Sequence, residues 1–169
     1  FKTLIQREEG VEYYAYLHDN EYYVLSNKDA PNFKLIRLPF SGSNYTVVVS
    51  HREDTMLEEV SMFQNHLALL ERVNGRLQIR ILQIDNGQWR TIAMDEHLCS
   101  LYFSWNKDWY STFARVAFSS FITPYSVIDI DLISGEKTLK KQDQVLGGYD
   151  PTNYNVLRIW APGHDGQKI

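Results

Sequence analysis

An all-β fold of small antiparallel sheets follows from three features of this sequence. Short strand-like runs recur in groups of four, and a Gly, Pro or Asn/Asp-rich turn follows nearly every run. No stretch carries the apolar period of a long amphipathic helix. The 11 tyrosines fit the same picture, since half-buried strands favour aromatic residues whose phenols reach a partner at the edge.

The first group opens with residues 11–17, rich in aromatics, and turns at Asp19-Asn20 into Tyr22-Tyr23-Val24-Leu25. Asp29-Ala30-Pro31-Asn32 breaks the chain before residues 33–38, where apolar and basic side chains alternate as on a strand with one wet face. After the Ser41-Gly42-Ser43-Asn44 loop, Thr46-Val47-Val48-Val49 is the fourth strand. The second group is expected at 59–63, 67–73, 77–84 and 89–94, with turns at Gln64-Asn65, Asn74-Gly75 and Asp85-Asn86-Gly87. Asn74-Gly75 is the strongest hairpin signal, because both residues tolerate the positive φ of a type I′ turn. The third group is expected at 101–105, 113–119, 126–132 and 137–141, with Ser134-Gly135 as its last turn.

Equivalent positions Val11, Val60 and Leu101 recur at the ~40–50 residue spacing of four-stranded propeller blades. A single sheet of that size cannot bury enough apolar surface to offset its backbone entropy, and stacking face to face solves this. The expectation is therefore about three propeller blades over residues 1–148. Residues 1–7 read as the last strand of a preceding blade. A β-sandwich of similar strand count is the rival architecture.

Composition narrows function by exclusion. A net charge of −4 gives no electrostatic reason to expect nucleic acid or an anionic membrane as partner. No run approaches the ~20 apolar residues of a membrane span. The lone Cys99 cannot form an internal disulfide, which fits a reducing, cytoplasmic setting. Asn44-Tyr45-Thr46 has the form of a glycosylation triplet, read here as a chance match. The chain opens on a strand-like Phe1 and stops just after a turn signal, and both ends read as cut from a longer chain.

Catalytic and ligand-binding signatures are absent from the sequence. No G-x-S-x-G elbow occurs, and Ser43 after Gly42 lacks the second glycine. His18, His51, His66, His97 and His164 show neither H-x-x-x-H nor H-E-x-x-H spacing, so no metal site is expected. Gly147-Gly148 does not open a helix, and no nucleotide cofactor is expected. The charge run His51-Arg52-Glu53-Asp54, followed by Glu58-Glu59, is either a solvated inter-blade loop or a patch that attracts cationic peptides or, through Arg52 with Glu53 and Asp54, docks a second domain. Glu71-Arg72 and Arg80 are positioned to pair across strands. Trp89, Trp105, Trp109 and Trp160 are candidates to line a pocket, but at least three are expected to pack on sheet faces.

Several stretches are more specific than strand and turn chemistry requires. They include Gly10-Val11-Glu12-Tyr13-Tyr14, Tyr22-Tyr23-Val24-Leu25-Ser26-Asn27, Asn32-Phe33, His51-Arg52-Glu53-Asp54 with Leu57-Glu58, and Glu71-Arg72 with Gly75, Leu77 and Arg80. Further on come residues 119–127, Leu146-Gly147-Gly148-Tyr149-Asp150-Pro151 with Tyr154, and Arg158-Ile159-Trp160-Ala161 before Asp165-Gly166. With order and spacing kept over essentially the whole chain, these stretches resemble the oligopeptidase B (protease II) branch of the prolyl oligopeptidase family of serine peptidases.

The resemblance implies the final three blades of a seven-bladed propeller that sits as a lid on an α/β-hydrolase domain. Residues 149–169 are then the crossover toward that domain, and Pro162-Gly163-His164 departs from the more regular strand of relatives. It also implies a parent that cleaves short peptides after Arg or Lys through a serine triad lying elsewhere, with this chain as gate and size filter. No catalytic residue carries over. The partners expected are short basic peptides, the parent's own hydrolase domain and, for the isolated piece, further copies of itself. A free-standing propeller or sandwich that binds other proteins is the alternative.

Overall fold

The computed structural model describes residues 3–40 and 44–168. Twelve strands form three sheets of four, each a sequential antiparallel meander. The first holds β1 (Tyr13–His18), β2 (Glu21–Ser26), β3 (Lys34–Pro39) and β4 (Thr46–Val49). The second holds β5 (Thr55–Met62), β6 (His66–Val73), β7 (Arg76–Gln83) and β8 (Gln88–Ala93). The third holds β9 (Cys99–Phe103), β10 (Phe113–Ser120), β11 (Ser126–Asp131) and β12 (Lys137–Gln142). A 3-10 turn at Pro151–Asn153, capped by Asp150, is the one helical element among the described residues.

The predicted grouping into fours thus holds, and the Asn74-Gly75 hairpin takes φ of 49° and 77° as the turn chemistry requires. Three local readings need correction. Residues 3–7 form no strand, so the expected leading strand is not present there; Phe1 and Lys2 lie outside the described residues. Strand β5 begins at Thr55, earlier than its apolar pattern suggests, because a bulge between Leu57 and Glu59 puts the charged Glu58 out of register. Only Trp89 of the four tryptophans lies on a strand. Trp105 and Trp109 sit in the loop after β9, and Trp160 in the C-terminal segment, so the sheet-face reading fails for three.

The sheets stack through two buried apolar layers. Between the first and second lie Tyr23, Leu25, Leu35, Leu57, Leu67 and Leu69. Between the second and third lie Phe63, Leu70, Ile79, Phe103, Val116 and Ile130. Alternate residues of β6 face opposite neighbours, Leu67 and Leu69 one way and Ala68 and Leu70 the other, which is why that strand reads as a continuous apolar run. The first strands converge, β1 touching β5 and β5 touching β9, and so define the inner edge of the array.

The two outer faces differ. Register places Leu17, Val24, Ile36 and Val47 on the outward face of the first sheet, with Leu17 and Val47 at least half exposed. On the outward face of the third, Arg115 lies opposite Asp129 and donates to both its oxygens at 2.7 and 2.9 Å. One end of the stack is therefore apolar and the other carries a paired charge.

Candidate functional site

The inter-sheet linkers and the second hairpin of each sheet share one end of the array. There the Asn74 backbone N–H donates to Asp54 O at 3.1 Å, tying the Arg52-Glu53-Asp54 loop to the β6–β7 hairpin. Asn32 Nδ2 holds the same loop from the first sheet, donating to Arg52 O and Glu53 O at 3.0 and 2.9 Å. Glu53 and Asp54 point to solvent at this end. Arg52 behaves differently. Its guanidinium turns inward and donates from Nη2 to Glu71 Oε1 at 2.5 Å.

Glu71 is fully buried, and it gathers two hydrogen-bond donors, one from the loop and one from β7, and a second guanidinium from β7. Arg52 reaches it from the linker, Gln78 Nε2 donates to Oε2 at 3.1 Å from directly across β7, and Arg80 Nε lies 3.5 Å away. Arg80 also stacks 4.1 Å above the Trp89 ring. Burial pulls the Arg80 guanidinium down from its ordinary range, with the Glu71 charge opposing the shift. The expected cross-strand pairing of Glu71 and Arg80 is present, whereas Arg72 pairs with Glu58 at 2.5 Å on the bulge. Of the three docking candidates, then, Arg52 is engaged between sheets and Glu53 and Asp54 are presented outward.

The C-terminal segment folds back over this same end. Arg158 Nη1 donates to Asn74 O at 2.7 Å and its guanidinium lies 4.2 Å from the Trp160 ring centroid. A side chain at Gly75 would meet Arg158 Nη2 at 2.9 Å, so the hairpin's glycine serves both its turn and this crossing. The Tyr149 hydroxyl donates to Ile122 O in the β10–β11 hairpin, and Tyr149 stacks on Tyr154 at 5.4 Å. Below it the Glu96 carboxylate accepts from the Ser120 and Thr123 hydroxyls. Near the end of this segment Asp165 Oδ1 accepts from Gln167 N at 3.1 Å, and Pro162 pairs with Lys168 in a single antiparallel bridge.

The opposite end gathers the first hairpin of each sheet. His18 Nε2 meets Gln64 O at 2.9 Å, Gln64 N donates to Trp109 O at 2.9 Å, and the His18 and Trp109 rings lie 5.1 Å apart. Beside them the inner edge opens into a groove of about 650 Å³ lined by β1, β5 and the loop after β9. Glu59 stands in it, accepting from Phe103 N at 3.1 Å. Burial pushes its carboxyl above the usual range, the Phe103 N–H pulling the other way, and burial together with Glu59 raises the neighbouring Tyr16 phenol. Sequence reasoning counted Glu59 as one more charge in a run; its position appears only when β9 is laid beside β5.

A raised folded-state pKa means that the fold prefers Glu59 protonated. Its favourable contribution is complete below the unfolded carboxyl value of about 4.3 and is lost as pH rises through the higher folded value. Glu59→Gln keeps the acceptor for Phe103 N and removes that loss. We expect the thermal midpoint at pH 7 to rise by about 1–3 °C, the small effect of a half-exposed group, with the gap closing by pH 4. Parallel melting curves from pH 4 to 8 check this, and an unchanged gap refutes it.

Among the described residues, no cluster of His, Cys, Asp and Glu is arranged to hold a metal ion, and no helix is long and apolar enough to cross a membrane. Cys99 is a free thiol that burial pushes up, away from a reactive thiolate. Three stacked four-stranded meanders with converging first strands define a set of propeller blades. Residues 1–143 match the prolyl oligopeptidase N-terminal β-propeller domain, and the chain belongs to the prolyl oligopeptidase family. It is 31% identical to dipeptidyl aminopeptidase BI of Pseudoxanthomonas mexicana over 99% of its length, and 27% identical to protease 2 of Moraxella lacunata over 97%. It superimposes on oligopeptidase B of Leishmania major with a TM-score of 0.87 at 27% identity, and on that of Trypanosoma brucei with 0.88 at 26%, each over 98% of the chain. The chain spans about a quarter of the length of these relatives, from 23% to 25% of each.

Proposed function

We propose that these blades belong to the lid of a serine oligopeptidase that cleaves short peptides after Arg or Lys. They admit extended peptides and exclude folded proteins by size. Residues 149–169 are then the crossover to an α/β-hydrolase domain that supplies the Ser-His-Asp triad and oxyanion hole. The observation that carries this reading is the C-terminal segment, pinned by Arg158 to Asn74 and by Tyr149 to Ile122 across one end of the stack. A second domain leaving from there faces the Glu53 and Asp54 carboxylates, and the two pins are the contacts a lid motion has to respect. Similarity to protease 2 and to oligopeptidase B supports a peptidase of short peptides, and the preference for Arg or Lys is what the resemblance of those sequence stretches implies.

The test compares the full-length protein with the present chain on two substrates, a short arginyl chromogenic peptide and the same sequence inside a folded domain. The full-length protein is expected to cleave only the short peptide, and the chain alone neither. Turnover by the chain alone, or equal cleavage of the folded domain, overturns the division of labour. A full-length protein that cleaves neither but captures folded proteins returns the reading to a binding module.

Self-association of the isolated chain is part of the same reading. The first sheet's outward face, with Leu17 and Val47 exposed, is built to lean on a neighbour, while the third sheet's face carries the Arg115–Asp129 pair. We expect dimers or larger species at micromolar concentration by light scattering. Leu17→Lys with Val47→Lys should return the chain to a monomer, and a monomeric unmodified chain refutes the expectation.

A further inference from the structure

We propose that the groove at the inner edge, at the end opposite the C-terminal segment, binds a cationic side chain of a peptide through the Glu59 carboxylate and an aromatic wall. The peptide's role as substrate rests on the reading above; the cation chemistry is carried by the groove itself. Glu58, Glu71 and Asp129 each meet an arginine in this structure. Glu59 is half-buried, accepts one backbone N–H on Oε2, and among the described residues has no Lys, Arg or His nitrogen within 4.0 Å. A carboxylate held in that state gains more from a cationic guest than one already paired in water.

The surrounding rings suit the same guest. Tyr16, Trp105 and Trp109 line the groove with Glu59, beside Lys107, and the quadrupole of such faces attracts cations. Lys107 Nζ already lies 5.1 Å from the Trp105 ring centroid, within the range of a cation–π contact. A guanidinium fits best, because it stacks on a ring while its donors reach a carboxylate.

The wall is also held in advance. Asn106 donates to Ser104 O and Arg115 O at 3.3 and 2.9 Å and accepts from Arg115 N at 2.8 Å, fixing the loop that carries Trp105. Trp109 O is bonded to Gln64 N at 2.9 Å on its other side. Preorganisation of this kind lowers the ordering cost of binding.

The experiment uses the full-length protein and a photo-crosslinking peptide containing one arginine, with a citrulline peptide of the same shape as control. Labelled positions are mapped by mass spectrometry. The expected result is label between Phe103 and Trp109, at least fivefold weaker with citrulline and at least fivefold weaker in Glu59→Gln. Equal labelling by citrulline and arginine peptides, or label absent from this segment, overturns the proposal. The citrulline control needs no variant, so the comparison stands however Glu59→Gln folds. Labelling here without cleavage after arginine sinks the substrate reading and leaves this site standing; cleavage without labelling does the reverse.

Discussion

Replacing Glu71 with alanine is expected to destabilise the propeller by about 3 kcal/mol, within the ~3–5 kcal/mol typical of removing one partner from a buried ion pair. The carboxylate is fully buried and is the anion between the guanidinium groups of Arg52 and Arg80. Without it two like charges face each other with Gln78 as the remaining polar neighbour. About a third of the Arg52 side chain is exposed, so it can swing into water, which keeps the loss toward the lower end. Arg80 cannot follow, at 19% exposure and stacked on Trp89. Urea unfolding of the full-length protein, followed by tryptophan fluorescence, measures the effect. Coupling Glu71→Leu with Arg80→Met should recover most of it, because a buried pair replaced by apolar groups of similar volume is close to neutral. A loss under about 1 kcal/mol for the single alanine shows that the cluster behaves as an exposed pair, and the inter-sheet role assigned to Arg52 then falls.

That cluster also marks the boundary of what the sequence discloses. Sheet membership was legible because period-two runs and turn residues are local, and Asn74-Gly75 named its own turn type. The start of β5 was hidden because Glu58 occupies a bulge, where a charge is no sign of a loop. The tryptophans misled for a related reason: aromatic residues favour strands, but the loop after β9 that carries two of them is tied through Asn106 to Arg115 of β10 and through Trp109 O to Gln64 of the β5–β6 turn. Arg52, Glu53 and Asp54 were recognisable as a group, yet nothing local separates them. Only the buried Glu71, brought close by the stacking of sheets, turns Arg52 inward and leaves the two acids outside. Glu59 is the extreme case. Its neighbours Tyr16 and Phe103 come from two other sheets, so its setting exists only in the assembled array.

Phe63→Ala is expected to cost about 3–5 kcal/mol, the range for emptying a fully buried aromatic site. Phe63 follows β5 directly, and its N–H donates to His66 O at 2.9 Å to close the turn into β6. The ring is 1% exposed and lies in the layer with Phe103, Val116 and Ile130 of the third sheet. The cavity therefore opens between two sheets rather than within one. Strands β5–β12 should lose protection most, with a smaller loss in β1–β4, since the first sheet packs on the second through the separate layer around Leu25, Leu35 and Leu69. Phe63→Leu should lose under about 1.5 kcal/mol, because it keeps most of the apolar volume. Hydrogen exchange read by mass spectrometry on the full-length protein distinguishes the possibilities. Loss confined to the β5–β6 turn would assign Phe63 a local role, and uniform loss across all three sheets would make them one cooperative unit. Either result contradicts the two-layer core, whereas a loss greatest in the second and third sheets follows directly from it.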